Sequence, residues 1–342
     1  MIRNDKILID GDFETELRRH AEQGGKYIKD ITLHALKNNQ SAIYQTHLAY
    51  LRAGAQIIRT NTYRASLSDV LTHLDVEPGG YLPLIDDSVK LAKQAVVKYA
   101  EENGYDINST YYQKSLKPLI AGSCGSYLIS FLENMGNKWY VTLDVVRDLS
   151  VMEMINFHEP RMKTLLDANV DLLAFESIPT INEIQAILKL LTQYSQARAC
   201  LSFLCSVDGK VDGYDLADII RMCQRTLPER IIAFGIECVE PVVNPFLEMN
   251  LNQTIPLLLY GGKNEIYPVQ RTSASDNRRV CNYVWEWLQC GICYIGGGIG
   301  TDAEDIKRIK RLIQIREGAL SGGPSVSSNP CSNRNNENLS KL

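Results

Sequence analysis

The sequence predicts a single (β/α)8 barrel. Three observations support it: short β-branched runs alternate with longer segments of helical period, the strand candidates number eight, and nearly all of them end in polar or glycine-rich text. The 342 residues are 45% hydrophobic and 22% charged, so the length fits one large barrel or two ordinary domains, with ample apolar material for a core. Lys plus Arg total 36 against 40 for Asp plus Glu, a formal net charge of -4. That balance gives no electrostatic reason to expect a nucleic-acid or anionic-membrane partner.

In chain order, strands are expected at Lys6 to Asp10, Gln56 to Asn61, Pro118 to Gly122, Asp171 to Glu176, Ala199 to Ser206, Ile231 to Cys238, Ile255 to Tyr260 and Ile292 to Gly297. Helical period is expected at Ser41 to Ala53, Leu84 to Glu102, Leu143 to Ala168, Ile181 to Gln193, Asp215 to Thr226, Asn277 to Gln289 and Asp302 to Ile315. In the longest of these, Leu149, Met152, Ile155, Met162, Leu165 and Leu166 keep a stripe at i, i+3 and i+4 that would cover a sheet. The expected barrel spans residues 1–317. Residues 318–342, rich in Ser, Asn and Gly with almost nothing to bury, are expected to form a disordered tail.

The strand ends carry the polar text: Asp10-Gly11, Thr60-Asn61-Thr62, Gly122-Ser123-Cys124-Gly125, Glu176-Ser177, Ser206-Val207-Asp208, Glu237-Cys238, Gly261-Gly262-Lys263 and Gly296-Gly297-Gly298. In a closed barrel these ends converge on one mouth, where active sites lie. Glycine, Asn and Asp at a strand end also serve simply to turn the chain. Two carboxylates facing a common cavity need partners there, and they suit a ligand ammonium group.

The opening MIRNDKILIDGDFE breaks its short apolar run at Asp10 and offers neither a signal h-region nor a small-residue cleavage site. No stretch reaches the roughly 18 apolar residues of a membrane span. A cytoplasmic protein is therefore expected, with its nine Cys mostly as reduced thiols in the core. Cys290-Gly-Ile-Cys293 lacks the second pair that a zinc site of that type requires.

One set of motifs is specific when taken together: Asp10-Gly11-x-x-x-Thr15-x-Leu17, Thr60-Asn61-Thr62-Tyr63-x-Ala65-Ser66, Phe157-His158-x-x-Arg161, Phe175-Glu176-Ser177-Ile178-Pro179, Ser202-Phe203 and Gly235-Ile236-Glu237-Cys238. The set resembles the homocysteine S-methyltransferase family, in order from about residue 6 to 316. The resemblance implies a (β/α)8 barrel that transfers a methyl group from S-methylmethionine, S-adenosylmethionine or betaine to homocysteine, giving methionine. It implies Asp10 and Glu176 as binders of the homocysteine amine, and Thr60, Asn61 and Tyr63 as the pocket wall. It also implies a zinc ion held by three cysteines, one after strand six and an adjacent pair after strand eight. Zinc would deprotonate the homocysteine thiol, whose pKa near ~8.5 makes it a poor nucleophile at neutral pH.

The sequence departs from that pattern at the metal. Cys238 is the sole retained ligand, since Gly298 and Ile299 occupy the positions of the cysteine pair and Gly300 that of an arginine. Cys293 lies five residues before Gly298, roughly 16 Å away along a strand, and does not reach. Cys205 and Cys124, near other strand ends, are the thiols left for a substitute site with Cys238. Asp12 places a charge where the family pattern has a glycine, in the space of the substrate carboxylate. Three functional readings follow: a working methyltransferase with a degenerate zinc site, a catalytically silent relative that binds an amino acid or a partner protein, and a barrel that holds an anion or phosphate on the glycine-rich loops after strands seven and eight.

Overall fold

The structure is a computed structural model and describes residues 6–21, 30–134, 144–206, 208–237, 246–250, 254–263, 284, 287–288 and 291–321. Eight parallel strands are β1 (Ile7–Leu8), β2 (Ile57–Arg59), β3 (Leu119–Gly125), β4 (Leu172–Ile178), β5 (Ala199–Phe203), β6 (Ile231–Glu237), β7 (Leu257–Gly261) and β8 (Ile292–Gly297). They form one sheet in the order β1-β8-β7-β6-β5-β4-β3-β2. A parallel bridge between Ile9 and Ile57 joins its two ends. There the Asp10 amide donates to the Ile57 carbonyl at 3.0 Å and the Gln56 amide to the Leu8 carbonyl at 2.7 Å. The expected barrel is thus formed, and each expected strand overlaps an observed one.

Alternation along the strands sorts the side chains into two layers. Ile9, Ile57, Ala121, Leu172, Ala174, Cys200, Ala233, Leu258 and Tyr260 form one buried cluster, the barrel interior. Their neighbours Ile58, Ile120, Leu173, Phe175, Leu201, Phe234 and Leu259 belong to the larger core under the helices. Polar groups replace the inner set only at the carboxyl ends of the strands, so the chemistry is confined to one mouth.

The helices are α1 (Phe13–Ala21), α2 (Ile31–Asn38), α3 (Gln40–Ala53), α4 (Leu67–His73), α5 (Tyr81–Glu102), α6 (Tyr127–Asn134), α7 (Val151–Asp167), α8 (Ile181–Gln193), α9 (Leu216–Thr226) and α10 (Ala303–Ser321). Sequence periodicity missed α1, α2, α4 and α6, which are too short to display a full amphipathic repeat. The expected helix from Leu143 to Ala168 is interrupted: residues 144–147 are helical, the chain leaves the helix over 148–150, and α7 starts at Val151 behind a capping box in which Ser150 and Glu153 exchange side-chain and backbone hydrogen bonds. Its buried face is Met154, His158, Arg161, Met162 and Leu165, while Met152 of the expected stripe is 62% exposed. The rest of the expected stripe packs inward: Met162 and Leu165 are buried, Ile155 and Leu166 lie against the same core and Leu149 against a smaller cluster, and the buried face also takes in His158 and Arg161.

β5 ends at Phe203, before the expected Ser206, and the chain turns into a short hairpin of Lys210–Val211 with Tyr214–Asp215. The expected helix Asn277 to Gln289 lies outside the described residues except for Val284, Trp287 and Leu288, which are helical and buried. Helix α10 runs to Ser321, past residue 318 where the tail was expected to begin, and residues 322–342 lie outside the described residues. Among the described residues, no helix is long and apolar enough to cross a membrane.

Candidate functional site

The carboxyl ends of β1, β2 and β4 meet on a guanidinium. Asp10, just past β1, is fully buried, and Glu176 on β4 is 6% exposed. Arg59, the last residue of β2, donates from Nε to Asp10 Oδ1 and from its backbone amide to Asp10 Oδ2, both at 2.7 Å. Its Nη1 donates to Glu176 Oε2 at 2.8 Å, and its Nη2 donates to the carbonyls of Gly11 at 2.7 Å and Gly297 at 3.4 Å. The guanidinium carbon lies 4.5 Å from the centroid of the Tyr260 ring, a stacked cation–π arrangement. Glu176 Oε1 accepts from Ser123 Oγ at 3.1 Å.

Two strand-end carboxylates therefore face one point, and the cation between them is the chain's own. Burial raises the Asp10 carboxyl to about 6 against the opposing pull of Arg59. Burial lowers Arg59, but Glu176 and Asp10 outweigh it and hold the guanidinium above its usual range. Sequence reasoning missed Arg59. The available signal was a basic residue closing an apolar run immediately before Thr60-Asn61-Thr62.

The three residues expected on the pocket wall have separate tasks. Thr60 Oγ1 shares a hydrogen bond with Thr62 Oγ1 at 2.6 Å and accepts the Ser123 amide at 3.0 Å, which ties β2 to β3. Asn61 donates from Nδ2 to the Thr32 carbonyl at 2.9 Å and so anchors α2. The Tyr63 hydroxyl lies 2.7 Å from Ser177 Oγ, and Ser177 in turn donates to Glu237 Oε1. Burial raises the Glu237 carboxyl. Ser177 has φ 60°, a left-handed conformation unusual for a non-glycine residue, at the mouth end of β4.

The motif Phe157-His158-x-x-Arg161 supplies the frame behind this mouth. Arg161, 1% exposed, donates from Nη1 to the carbonyls of Thr62 at 3.2 Å and Tyr63 at 2.8 Å, and from Nη2 to Gly125 at 2.7 Å. One guanidinium thus fixes the loops after β2 and β3 from behind.

The loop after β8 is closed on itself. The Gly298 amide donates to the Gly261 carbonyl at 2.8 Å, the Lys263 amide to Ile299 at 3.0 Å and the Thr301 amide to Gly298 at 3.2 Å. Gly300 donates its amide to Asp12 Oδ2 at 3.0 Å. These bonds weigh against the anion-site reading, because the Gly298, Gly300 and Lys263 amides are spent within the chain and a carboxylate, Asp12, stands beside them. The Lys263 ammonium likewise faces Asp305 at 3.5 Å and Asp302 at 3.9 Å. They also correct the expectation for Asp12. Its carboxylate takes the Thr15 hydroxyl at 2.6 Å and the Glu14 amide at 3.2 Å, turning into the start of α1 instead of into a substrate's space. At Gly297 a Cβ would lie 2.2 Å from Thr301 Oγ1 and 2.8 Å from Gly11 Cα, so only glycine fits that approach.

The metal donor set is not restored elsewhere among the described residues. Gly298 has no side chain, and Ile299 is aliphatic and 81% exposed. No group of three His, Cys, Asp or Glu among the described residues is placed to hold a metal ion. Cys238 itself lies outside the described residues. The substitute site with Cys124 and Cys205 is corrected: Cys124 is fully buried in the core under the helices and Cys205 packs against the same core. Burial pushes their thiols up to about 11 and about 12 respectively, the reverse of what a thiolate ligand needs.

Comparison with known proteins covers the same barrel. The family model described as homocysteine S-methyltransferase matches residues 7–313. The chain is 32% identical to betaine-homocysteine S-methyltransferase of Drosophila melanogaster, over 80% of this chain and 84% of that protein. It is 31% identical to homocysteine S-methyltransferase of Escherichia coli strain K12, over 90% of this chain and 95% of the relative. The metallated form of the E. coli homocysteine methyltransferase MmuM superimposes with a TM-score of 0.71 at 28% identity, over 90% of this chain and 96% of that one.

Proposed function

The chain belongs to the homocysteine S-methyltransferase family, and on that premise we propose that it keeps the family's barrel and mouth without metal-activated methyl transfer. The family's reaction carries a methyl group to homocysteine. In the working members that this sequence resembles, zinc on three cysteines activates the thiol, and the donor is S-methylmethionine, S-adenosylmethionine or betaine.

The observation that carries the proposal is the loop after β8. Gly298 and Ile299 stand at two of the three ligand positions and offer no donor side chain. Zinc affinity rests on ligand number and charge, and a single thiolate must compete with protons at neutral pH. The donor set does not fit zinc.

A working transferase is the second reading, favoured by the retained frame. Arg161 still fixes the loops of β2 and β3, and Asp10 and Glu176 still converge at the mouth. Positioning two substrates is a source of rate that needs no metal. The test is elemental analysis of dialysed protein beside a homocysteine methylation assay with each of the three donors. Metal-free protein without turnover supports the proposal. Stoichiometric zinc that is lost in Cys238→Ala overturns it, and turnover by metal-free protein would favour the second reading.

A further inference from the structure

We propose that Arg59 is the specificity-determining residue of this mouth: it occupies the place of a ligand ammonium between Asp10 and Glu176 and bars free amines from that pair. The inference rests on the mouth being the family's ligand site and is independent of whether metal binds. All four carboxylate oxygens already accept. Asp10 Oδ1 and Oδ2 take Arg59 Nε and the Arg59 amide, Glu176 Oε2 takes Arg59 Nη1, and Glu176 Oε1 takes Ser123 Oγ. An incoming ammonium would have to share these oxygens with the Arg59 guanidinium that already spans them, and it would meet a like charge in a site with little water to screen it. Such a repulsive element is how a site rejects one ligand class.

Arg59 is also held in place. Its side chain is 13% exposed, its backbone lies in β2, Nη2 is bound to the Gly11 and Gly297 carbonyls, and the guanidinium stacks on Tyr260. Withdrawing it would strip buried acceptors of their donor. One guanidinium therefore already bridges both acids, and the mouth is closed to an α-amino acid held by its amine.

Calorimetric titration with L-homocysteine and with L-methionine tests the assignment on the full chain. Wild-type protein is expected to give no saturable heat at millimolar ligand. Arg59→Thr, which uncovers the pair, is expected to bind both amino acids at least about tenfold more tightly, and adding Glu176→Gln is expected to abolish the gain. Arg59→Met, which keeps most of the stem without the charge, serves if the threonine variant does not fold. Wild-type binding that Glu176→Gln weakens about tenfold would overturn the proposal, as would folded Arg59 variants that bind neither amine. These outcomes separate from those of the proposed function: metal-free, inactive protein that binds homocysteine through Glu176 sinks only the role of Arg59. Zinc-bearing protein with no affinity for amines sinks only the loss of metal chemistry.

Discussion

His158 Nε2 lies 2.7 Å from Glu183 Oε1, and both side chains are completely buried, joining α7 to α8 behind the mouth. The same Glu183 oxygen accepts the Tyr127 amide at 2.8 Å. Burial lowers the His158 pKa against the pull of Glu183, so the neutral ring donates from Nε2 to the carboxylate. Replacing Glu183 by Ala strands two buried donors. A loss of about 3 kcal/mol is expected, read as a lower urea midpoint with an unchanged m value. A change within about 0.5 kcal/mol would show that the pair does not hold the helices together.

His47 makes the opposite case. It is buried on α3 with both ring nitrogens unpartnered among the described residues, and its ring meets Phe13 edge-on at 5.0 Å. Burial lowers its pKa from 6.5 to about 3. Between those values the unfolded chain binds more protons than the native one, so stability falls as pH drops below 6.5, by up to about 1.4 kcal/mol per pH unit from this group. His47→Leu is expected to be neutral or stabilising at pH 7 and to flatten the acid limb of a stability profile. An acid limb as steep as wild type would refute the assignment.

Why some of this was legible in sequence and some was not follows from particular residues. The eight strands were visible because buried parallel strands read as apolar runs, and the mouth was visible because those runs end in Asp10, Thr60, Glu176 and Gly297. The stripe of α7 was legible except at Met152, but that His158 and Arg161 share its buried face was not, because hydrophobic periodicity expects apolar residues there. The partners of Asp12 and Asp10 were out of reach: Asp12 finds Gly300 across 288 positions of sequence, and Asp10 finds Arg59 across 49. Convergence of two acids was readable from strand order. That the chain supplies its own cation was not.

The Asp10–Arg59 pair sets a pH signature. Asp10 is raised from 3.8 to about 6, so between those values the native chain binds the extra proton, and this contribution to stability is fully present below 3.8 and is lost as pH rises through 6. Arg59 limits that loss by favouring the charged form. In Arg59→Met the two carboxylates are left buried without their cation, and a deficit of about 3 kcal/mol or more is expected at pH 8. Protonation relieves it, so the deficit should shrink at pH 5. Urea unfolding of variant and wild type at the two pH values reads the difference. Equal deficits at both would mean that Arg59 contributes packing rather than charge.

Rebuilding the metal site tests the reading of the β8 loop from the other side. Gly298 is absent from the residues with positive φ, so its backbone accepts a side chain. A Cβ there would lie 3.1 Å from the Tyr260 carbonyl oxygen and 3.2 Å from the Gly262 amide nitrogen, close enough that the neighbouring strand end must give slightly. Ile299 is exposed and imposes no such contact. The double variant Gly298→Cys with Ile299→Cys is expected to fold at a cost of about 1–3 kcal/mol, and to retain zinc through dialysis where wild type does not. Three thiolates, with Cys238, are enough for a site that leaves one position for substrate. Removing Cys238 from the double variant should weaken zinc retention again. Homocysteine turnover need not return with the metal, because Arg59 still bridges Asp10 and Glu176 at the mouth. Adding Arg59→Thr to the metal-binding variant is then the change expected to restore binding of the amine. If zinc is not retained by a folded double variant, loss of the cysteine pair is not what separates this barrel from its metallated relative, and the geometry of the loop itself has diverged.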